Sequence, residues 1–256
     1  MKKNIALVLS GGGARGIAHI GVINELQNHG YKITSIAGTS MGALVGGIFA
    51  TGDMPSLEKW LKSLDLMEVV KLTDFSISNK GLIRGNKVIK RMKEIIPDRN
   101  IEDLPLPYCA VATDIINGTE KVFDKGNLYD AIRASISIPT IFRPYKIGRN
   151  YYVDGGVLNP IPVNHVERSG NDSLVVVDVN AFIPAEEPEE KKNEIQEKQK
   201  SDDDHTFIDY LNRFQHKLSN IIPKNKNDEI GMFNLTNKSI GLMLHKISSL
   251  LLEVYK

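Results

Sequence analysis

Ser40 is the residue of this sequence best placed to act as a nucleophile. It lies in Gly38-Thr39-Ser40-Met41-Gly42, which fits G-x-S-x-G and falls between an apolar run and a helix rich in small residues. A serine on such a sharp strand-to-helix turn has strained backbone geometry, and bulky residues two positions before or after it would clash. The helix N-terminus beneath it favours developing negative charge. We therefore expect Ser40 to be a nucleophile, with Gly38 and Gly42 shaping its turn.

A glycine loop, Gly11-Gly12-Gly13-Ala14-Arg15-Gly16, follows a predicted strand and opens a helix. A dinucleotide-binding fingerprint would also need an acidic residue at the end of the second strand, where Gly38-Thr39-Ser40 stands instead. A P-loop is excluded because the sequence contains no Gly-Lys-Ser/Thr. Glycines at a helix N-terminus leave backbone N–H groups unpaired, so the loop suits a phosphate or a transient oxyanion, with the charge of Arg15 nearby. A merely structural glycine turn is the alternative.

A serine hydroxyl needs a general base to become nucleophilic. The six histidines, at positions 19, 29, 165, 205, 216 and 245, have no catalytic context and are expected to be surface or packing residues. Asp154 stands out instead, because it ends the apolar run Tyr151-Tyr152-Val153 and precedes Gly155 and Gly156. Taken alone, Asp-Gly indicates a turn. Taken with Ser40 and the glycine loop, Asp154 is the leading candidate for the base.

The elements that must position these residues alternate between short apolar runs and helical patterns over the first 180 residues. The apolar runs are aliphatic and mostly lack polar alternation, which is typical of strands buried on both faces. The pattern therefore predicts an α/β domain around a mainly parallel sheet. The predicted strands are Ile5–Leu9, Ile33–Gly38, Tyr108–Ala112, Glu120–Phe123, Tyr151–Val153 and Leu174–Val179, and the predicted helices are Gly16–His29, Met41–Ala50, Ser56–Leu64, Asn86–Ile96 and Tyr129–Ser135.

Composition removes several classes of function. With 256 residues and a net charge of +1, the chain is long enough for a sizeable core and is not a nucleic-acid polyelectrolyte. A single cysteine, Cys109, excludes a disulfide framework and cysteine metal sites. The sequence contains no H-x-x-x-H pair, so a histidine metal site is not expected either. No apolar run approaches the ~18 residues of a membrane span. The five apolar residues from Ile5 are fewer than the ~7–15 that form the apolar region of a signal peptide. A cytoplasmic location is expected.

The sequence changes character after residue 183. Pro184–Asp204 holds nine acidic and four basic residues, which predicts a solvated flexible linker or, alternatively, a lid over the active site. Helices are predicted over Thr206–Ile222 and Leu235–Tyr255. The apolar stripe of the second is expected to pack on the core, or else to contact a membrane surface or a partner. The predicted organisation is a catalytic domain over 1–183, the charged segment 184–204 and C-terminal helices over 205–256.

These motifs, in this order, resemble the patatin-like phospholipase family over about Ile5 to Val179. The spacing looks like that of its compact bacterial members, whereas the tail after Asn180 resembles them weakly. Bacterial relatives often end with a further strand and helix, which leaves open whether the chain is truncated at Lys256. The matching segments are Gly11–Gly16 for G-G-G-x-R/K-G, Gly38–Gly42 for G-x-S-x-G, Asp154–Gly156 for D-G-A/G, and the similar stretches Ala131–Pro139, Phe142–Pro144 and Asn159–Pro162.

The resemblance implies a three-layer α/β/α fold and hydrolysis of the acyl esters of lipids by a Ser–Asp dyad, with no metal or other cofactor. Ser40 would be the nucleophile and Asp154 the base, and the amides of the Gly11–Gly13 loop would form the oxyanion hole, supported by Arg15 and Gly16. The substrate would be a phospholipid, lysophospholipid or glyceride, reached through transient contact with a membrane surface, and no nucleic acid is expected as partner. A catalytically silent lipid- or anion-binding module on the same fold is the main alternative, and a nucleotide-binding protein is another.

Overall fold

The computed structural model describes residues 3–63, 84–181 and 232–255. The charged segment predicted over 184–204 and the helix predicted over 206–222 lie outside these residues.

The strands of the described residues form one mixed sheet. Four of them, in the order β3-β2-β1-β7, run parallel, and the other three join antiparallel. The predicted fold class, α/β with a mainly parallel sheet, is confirmed. The strands are β1 (Lys3–Leu9), β2 (Tyr31–Thr39), β3 (Tyr108–Asp114), β4 (Thr119–Phe123), β5 (Tyr145–Ile147), β6 (Asn150–Asp154) and β7 (Ser173–Val177).

Helices cover both sides of this sheet. Side chains of a strand point alternately to its two faces, and β1 is buried on both. Its residues Ile5, Leu7 and Leu9 join the larger core with the first helices, whereas Ala6 and Val8 pack with Ile161, Val163 and Leu252 on the other side. The helices are α1 (Ala18–Asn28), α2 (Met41–Thr51), α3 (Met54–Ser63), α4 (Asn86–Ile95), α5 (Leu128–Ser135) and α6 (Met232–Val254), with short 3₁₀ turns at Gly13–Ile17, Ile101–Asp103, Gly155–Val157 and Val163–His165.

Helix α2 consists largely of small residues because it lies directly on β2 and β3. A Cβ atom added at Gly46 would come within 2.7 Å of Cγ2 of Ile36, and one at Gly47 within 3.0 Å of the Tyr108 hydroxyl oxygen. The Tyr108 hydroxyl also donates a hydrogen bond to the Ala43 carbonyl at 2.6 Å. This close packing fixes the N-terminus of α2, where Ser40 stands.

Strand β3 carries two strands on one edge. Its last three residues pair with both β4 and β6, so these two must lie on opposite edges. Strand β2 also pairs opposite β4, which places β2 and β6 on the same edge. They meet end to end there, since Thr39 of β2 pairs with Val111 and Asp154 of β6 pairs with the next residue, Ala112. Ser40 therefore meets Asp154 where the two strands abut.

Helix α6 contacts the part of the chain that carries Asp154. Ser248 is buried, Leu252 packs in the second core, and Leu244 lies against Gly156. The same helix exposes other apolar side chains, including Leu242 and Met243. Among the described helices, none is both long and apolar enough to cross a membrane.

Candidate active site

The turn between β2 and α2 holds Ser40 in an unusual backbone conformation. Ser40 has φ 55°, a region that residues other than glycine rarely adopt. Its N–H donates to the Ser135 hydroxyl oxygen at 2.8 Å, and that hydroxyl donates in turn to the Val111 carbonyl at 2.6 Å. The Ser40 carbonyl accepts from the Leu44 amide at 3.1 Å, as in a regular first helical turn. The strained residue is thus held from both sides.

The two flanking glycines are required by the closeness of neighbouring backbone. A Cβ atom at Gly38 would lie 2.4 Å from the Gly42 carbonyl oxygen, and one at Gly42 would lie 2.3 Å from the Leu9 carbonyl oxygen. Real Cβ atoms do not approach backbone atoms so closely, so a larger residue would displace either β1 or α2. These contacts explain why the G-x-S-x-G pattern has glycine at both positions.

Asp154 lies within hydrogen-bond distance of Ser40. The Ser40 hydroxyl donates to Oδ2 of Asp154 at 2.5 Å, and the Gly156 amide donates to Oδ1 at 2.8 Å. The backbone of Asp154 is held as well, since its N–H donates to the Ser137 carbonyl and its carbonyl accepts from the Thr113 hydroxyl. Both carboxylate oxygens therefore accept a hydrogen bond, and one of the two donors is the Ser40 hydroxyl.

Gly155 allows this placement of Asp154. A Cβ atom at Gly155 would lie 2.1 Å from the Val111 carbonyl oxygen, in the middle of β3. Only glycine lets the chain pass this close as it leaves β6. At Gly156 the added atom would lie 3.0 Å from Oδ1 of Asp154 and 3.1 Å from Cδ2 of Leu244, a tight but less severe contact.

Burial changes the acidity of Asp154. The side chains of Asp154 and Ser40 are both buried. Desolvation raises the pKa of Asp154 to about 6, while the hydrogen bonds from Ser40 and Gly156 act to lower this pKa. A carboxylate with this pKa is still mostly ionised at neutral pH and is more basic than an exposed aspartate. This is the property that a general base toward a hydroxyl needs.

The glycine loop lies beside Ser40, but one of its amides already has a hydrogen-bond acceptor and is not free to bind an oxyanion. A Cβ atom at Gly11 would lie 3.3 Å from Cβ of Ser40, which shows how near the loop passes. The Gly11 amide, however, already donates to the Pro160 carbonyl at 2.9 Å. Within the described ranges the amides of Gly12 and Gly13 have no acceptor. The expected oxyanion donors therefore reduce to Gly12 and Gly13.

Two other residues expected at the oxyanion hole have different surroundings. Arg15 donates through Nη2 to Oδ1 of Asn180 at 2.8 Å. Gly16 is buried against the first residue of α2, and a Cβ atom there would lie 2.5 Å from Cβ of Met41. Arg15 thus contacts a side chain that holds the loop, and Gly16 lets the loop pack on α2.

Three of the described histidines make side-chain contacts that involve neither Ser40 nor Asp154. His19 is buried, and its Nε2 lies 2.9 Å from the Ser10 carbonyl oxygen. His29 pairs with Glu25, and His165 with Oε2 of Glu120 at 2.7 Å. His245 is exposed on α6, and the histidines at 205 and 216 lie outside the described residues. No group of three or more His, Cys, Asp or Glu side chains in the described part of the chain could hold a metal ion.

Two residues in these contacts were not singled out from the sequence. Ser135 belongs to the segment that resembles the family but has no nucleophile or base pattern around it. Asn180 follows the last predicted strand, where a polar residue indicates only a loop. Nothing local to either residue predicts that it reaches Ser40 or the glycine loop.

Comparison with known proteins gives a consistent result. The family model described as patatin-like phospholipase matches residues 7–166. An uncharacterized NTE family protein of Mycobacterium tuberculosis is 43% identical over 176 residues, which are 69% of this chain and 49% of that protein. Patatin-like phospholipase domain-containing protein 6 of Mus musculus is 32% identical over 185 residues, 69% of this chain and 14% of that protein. The chain thus spans about half the length, or less, of these curated relatives.

A solved structure is also similar. VipD from Legionella pneumophila matches with a TM-score of 0.44 and 17% sequence identity, over 68% of this chain and 49% of that chain.

Proposed function

Because this chain belongs to the patatin-like phospholipase family, we propose that it is a serine acyl hydrolase that cleaves carboxylic ester bonds of lipids through a Ser40–Asp154 dyad. The family is consistent with a lipid hydrolase as a class. The observation that carries the dyad is the 2.5 Å hydrogen bond from the Ser40 hydroxyl to Oδ2 of the buried Asp154. Among the described histidines none takes that place, so the carboxylate is the base within reach.

The first step forms the acyl enzyme. Oδ2 of Asp154 takes the hydroxyl proton as Oγ of Ser40 attacks the ester carbonyl carbon, and the carbonyl electrons move onto oxygen. When the tetrahedral intermediate collapses, the carbon–oxygen bond to the alcohol breaks and Asp154 returns its proton to that alcohol. The raised pKa of Asp154, about 6, suits both halves of this proton transfer near neutral pH.

The developing oxyanion requires hydrogen-bond donors beside Ser40. The amides of Gly12 and Gly13 have no acceptor within the described residues and belong to a loop in contact with Ser40. The N-terminus of α2 adds its dipole at the same place. One preorganised donor of this kind is typically worth about 2.7–4 kcal/mol of barrier.

The second step releases the fatty acid. Water enters as the alcohol leaves, Asp154 accepts its proton, and the hydroxide attacks the acyl carbon. Collapse of this second intermediate breaks the bond to Oγ of Ser40, which recovers its proton from Asp154. One carboxylate thus acts alternately as base and acid, and the enzyme returns to its starting state.

Access to lipid would involve apolar residues around the site. Val157 and Leu158 follow Gly156 directly, and each is 39% exposed. On α6, Leu242 and Met243 are 71% and 61% exposed next to Leu244, which lies against Gly156. We propose transient contact of these side chains with a membrane surface. Co-sedimentation with phosphatidylcholine vesicles should weaken for Met243→Glu, and equal binding of the variant and the wild type would contradict this contact.

A fluorophosphonate probe tests the proposed reaction, because it phosphonylates only an activated serine. The wild-type protein should be labelled to one equivalent, and Ser40→Ala should not be labelled. A panel of phospholipids, lysophospholipids and glycerides, assayed by the fatty acid released, then identifies the substrate class. A folded wild-type protein that binds lipid but is neither labelled nor active would be a silent binding module on the same fold.

A further inference from the structure

Asn180 links the end of β7 to the glycine loop. Its Nδ2 donates to the Gly11 carbonyl at 2.6 Å, and its Oδ1 accepts from Nη2 of Arg15 at 2.8 Å. The Arg15 contact sets which way round the side-chain amide lies, because Arg15 can only donate and must face the oxygen. The backbone N–H of Asn180 donates to Oδ1 of Asp178 at 2.9 Å, which fixes the base of the side chain.

The Gly11 carbonyl is the other half of the peptide unit that carries the Gly12 amide. The described residues contain no cis peptide bond, and in a planar trans peptide the C=O and the N–H point in opposite directions. A hydrogen bond that holds the Gly11 carbonyl on Asn180 therefore also fixes the direction of the Gly12 N–H, away from Asn180. That N–H has no acceptor within the described residues.

The rest of the loop leaves this peptide little freedom. The Gly11 amide is held by the Pro160 carbonyl, and Nε2 of His19 donates to the Ser10 carbonyl at 2.9 Å. Because that carbonyl can only accept, the proton lies on Nε2 of His19. On the outer side, a Cβ atom at Gly12 would lie 2.3 Å from Cγ2 of Val179. The peptide before Gly11 is thus fixed by His19 and Pro160, and the peptide after it by Asn180.

We infer that Asn180, held by Arg15, is a positioning residue that orients the Gly12 amide toward the oxyanion. This inference rests on the proposed hydrolase function and assigns a role to a residue outside the three sequence motifs. Arg15 acts through Asn180, with its positive charge kept on the carbonyl side of the loop. Without the Asn180 amide the Gly11–Gly12 peptide can rotate, so the donor is misdirected when the tetrahedral intermediate forms, whereas ground-state ester binding is little affected.

The first test compares three variants on a soluble monomeric ester. Asn180→Ala should lower kcat about 10- to 100-fold, the cost of a misplaced catalytic group, and should leave KM within about twofold. Asn180→Asp keeps the size and the acceptor for Arg15 but has no donor for Gly11, so it should lose at least as much. Asn24→Ala is the matched control, since Asn24 is a half-buried asparagine whose side chain donates from α1 to Glu58 on α3.

A transition-state analogue separates positioning from a merely structural role. Ser40 attacks an alkyl trifluoromethyl ketone to give a tetrahedral adduct whose oxygen lies in the oxyanion hole, with the Ser40 proton passing to Asp154. Its affinity should fall in Asn180→Ala by about the same factor as kcat. The pH midpoint set by Asp154 should stay unchanged. Arg15→Ala should lower kcat in the same direction, and the double variant Arg15→Ala/Asn180→Ala should lose no more than Asn180→Ala alone.

The outcomes distinguish this inference from the function on which it rests. If the wild type is active and both folded Asn180 variants keep its kcat, or if kcat falls without loss of ketone affinity, Asn180 does not position the donor. If Asn180→Ala fails to fold, the same readouts in the isosteric Asn180→Asp decide. If the wild type hydrolyses no ester and takes no fluorophosphonate label, the proposed function fails and this inference fails with it.

Discussion

Replacing Asp154 by asparagine should lower turnover and, at the same time, stabilise the fold above neutral pH. Asparagine has nearly the same shape, and its amide oxygen still accepts the hydrogen bond from Gly156, but it cannot take the Ser40 proton. Turnover should therefore fall by the ~10²–10⁴ that a general base contributes. The gain in stability has a separate cause, namely the cost of keeping a charged carboxylate buried.

The size of that gain follows from the pKa. Burial raises the pKa of Asp154 from 3.8 to about 6, and each unit corresponds to about 1.4 kcal/mol. The folded state therefore bears a cost of about 3 kcal/mol for ionising Asp154. This cost is absent below a pH of about 4, where the side chain is protonated in both states. It grows as pH rises to about 6 and is complete above that.

Melting curves of the wild type and Asp154→Asn at pH 8 and near pH 4 measure this difference. At pH 8 the variant should melt about 6–12 °C higher, since 1 kcal/mol shifts the Tm of a domain of this size by about 2–4 °C. Near pH 4 the advantage should disappear. Asp172→Asn is a control of opposite sign, because hydrogen bonds from Ser169 and Arg168 lower the pKa of Asp172 to about 2, so its loss destabilises the fold above pH 4.

Two results would refute this reasoning. If Asp154→Asn keeps near-normal turnover while a histidine variant is inactive, the base is a histidine. If Asp154→Asn lowers Tm equally at both pH values, the carboxylate stabilises a turn, and the ordinary interpretation of Asp-Gly-Gly is correct.

Three further predictions concern the same site. The kcat/KM of the wild type should rise with pH around a midpoint of about 6, because only ionised Asp154 accepts the Ser40 proton; a flat profile from pH 5 to 8 would contradict this. Gly155→Ala should lower the free energy of unfolding by more than about 3 kcal/mol in denaturant titrations, since its Cβ would lie 2.1 Å from the Val111 carbonyl oxygen. Turnover of a soluble ester should survive EDTA and the variant His165→Ala, and a strict metal requirement would exclude an unaided dyad.

Local pattern predicted the strands and helices well and the site in part. Strand β1 has a continuous aliphatic sequence because it is buried on both faces, and α2 has small residues because it packs on two strands, so both are visible in the sequence. Strand β5 was not predicted, because Tyr145-Lys146-Ile147 has a lysine at its centre and shows no continuous apolar run. The antiparallel pairing of β6 was also not evident, since its direction depends on where the chain returns to β3 and not on its own residues.

The parts of the site that could not be predicted depend on contacts between distant residues. The Gly11 amide is engaged by Pro160, and the loop is held by Asn180, 169 residues further along the chain. Composition indicates that glycine amides are available but not which of them is already bonded. His19 was expected to be a surface or packing residue, and it is buried beneath the same loop; its contact with the Ser10 carbonyl could not be predicted from its own helix.

The end-to-end meeting of β2 and β6 on one edge of β3 has a consequence for how this protein can vary. Ser40 and Asp154 are 114 residues apart in sequence. In space, however, Thr39 and Asp154 pair with two consecutive residues of β3, Val111 and Ala112, so one residue step along β3 sets their separation. Loops on either side of β3 can lengthen, shorten or acquire new binding surfaces without changing the reach between hydroxyl and carboxylate. An extra residue within β3 at that step would instead move one partner by about 3.3 Å along the strand. Strand β3 contributes no reacting atom, yet it sets the distance between Ser40 and Asp154. It should therefore tolerate insertions and deletions least.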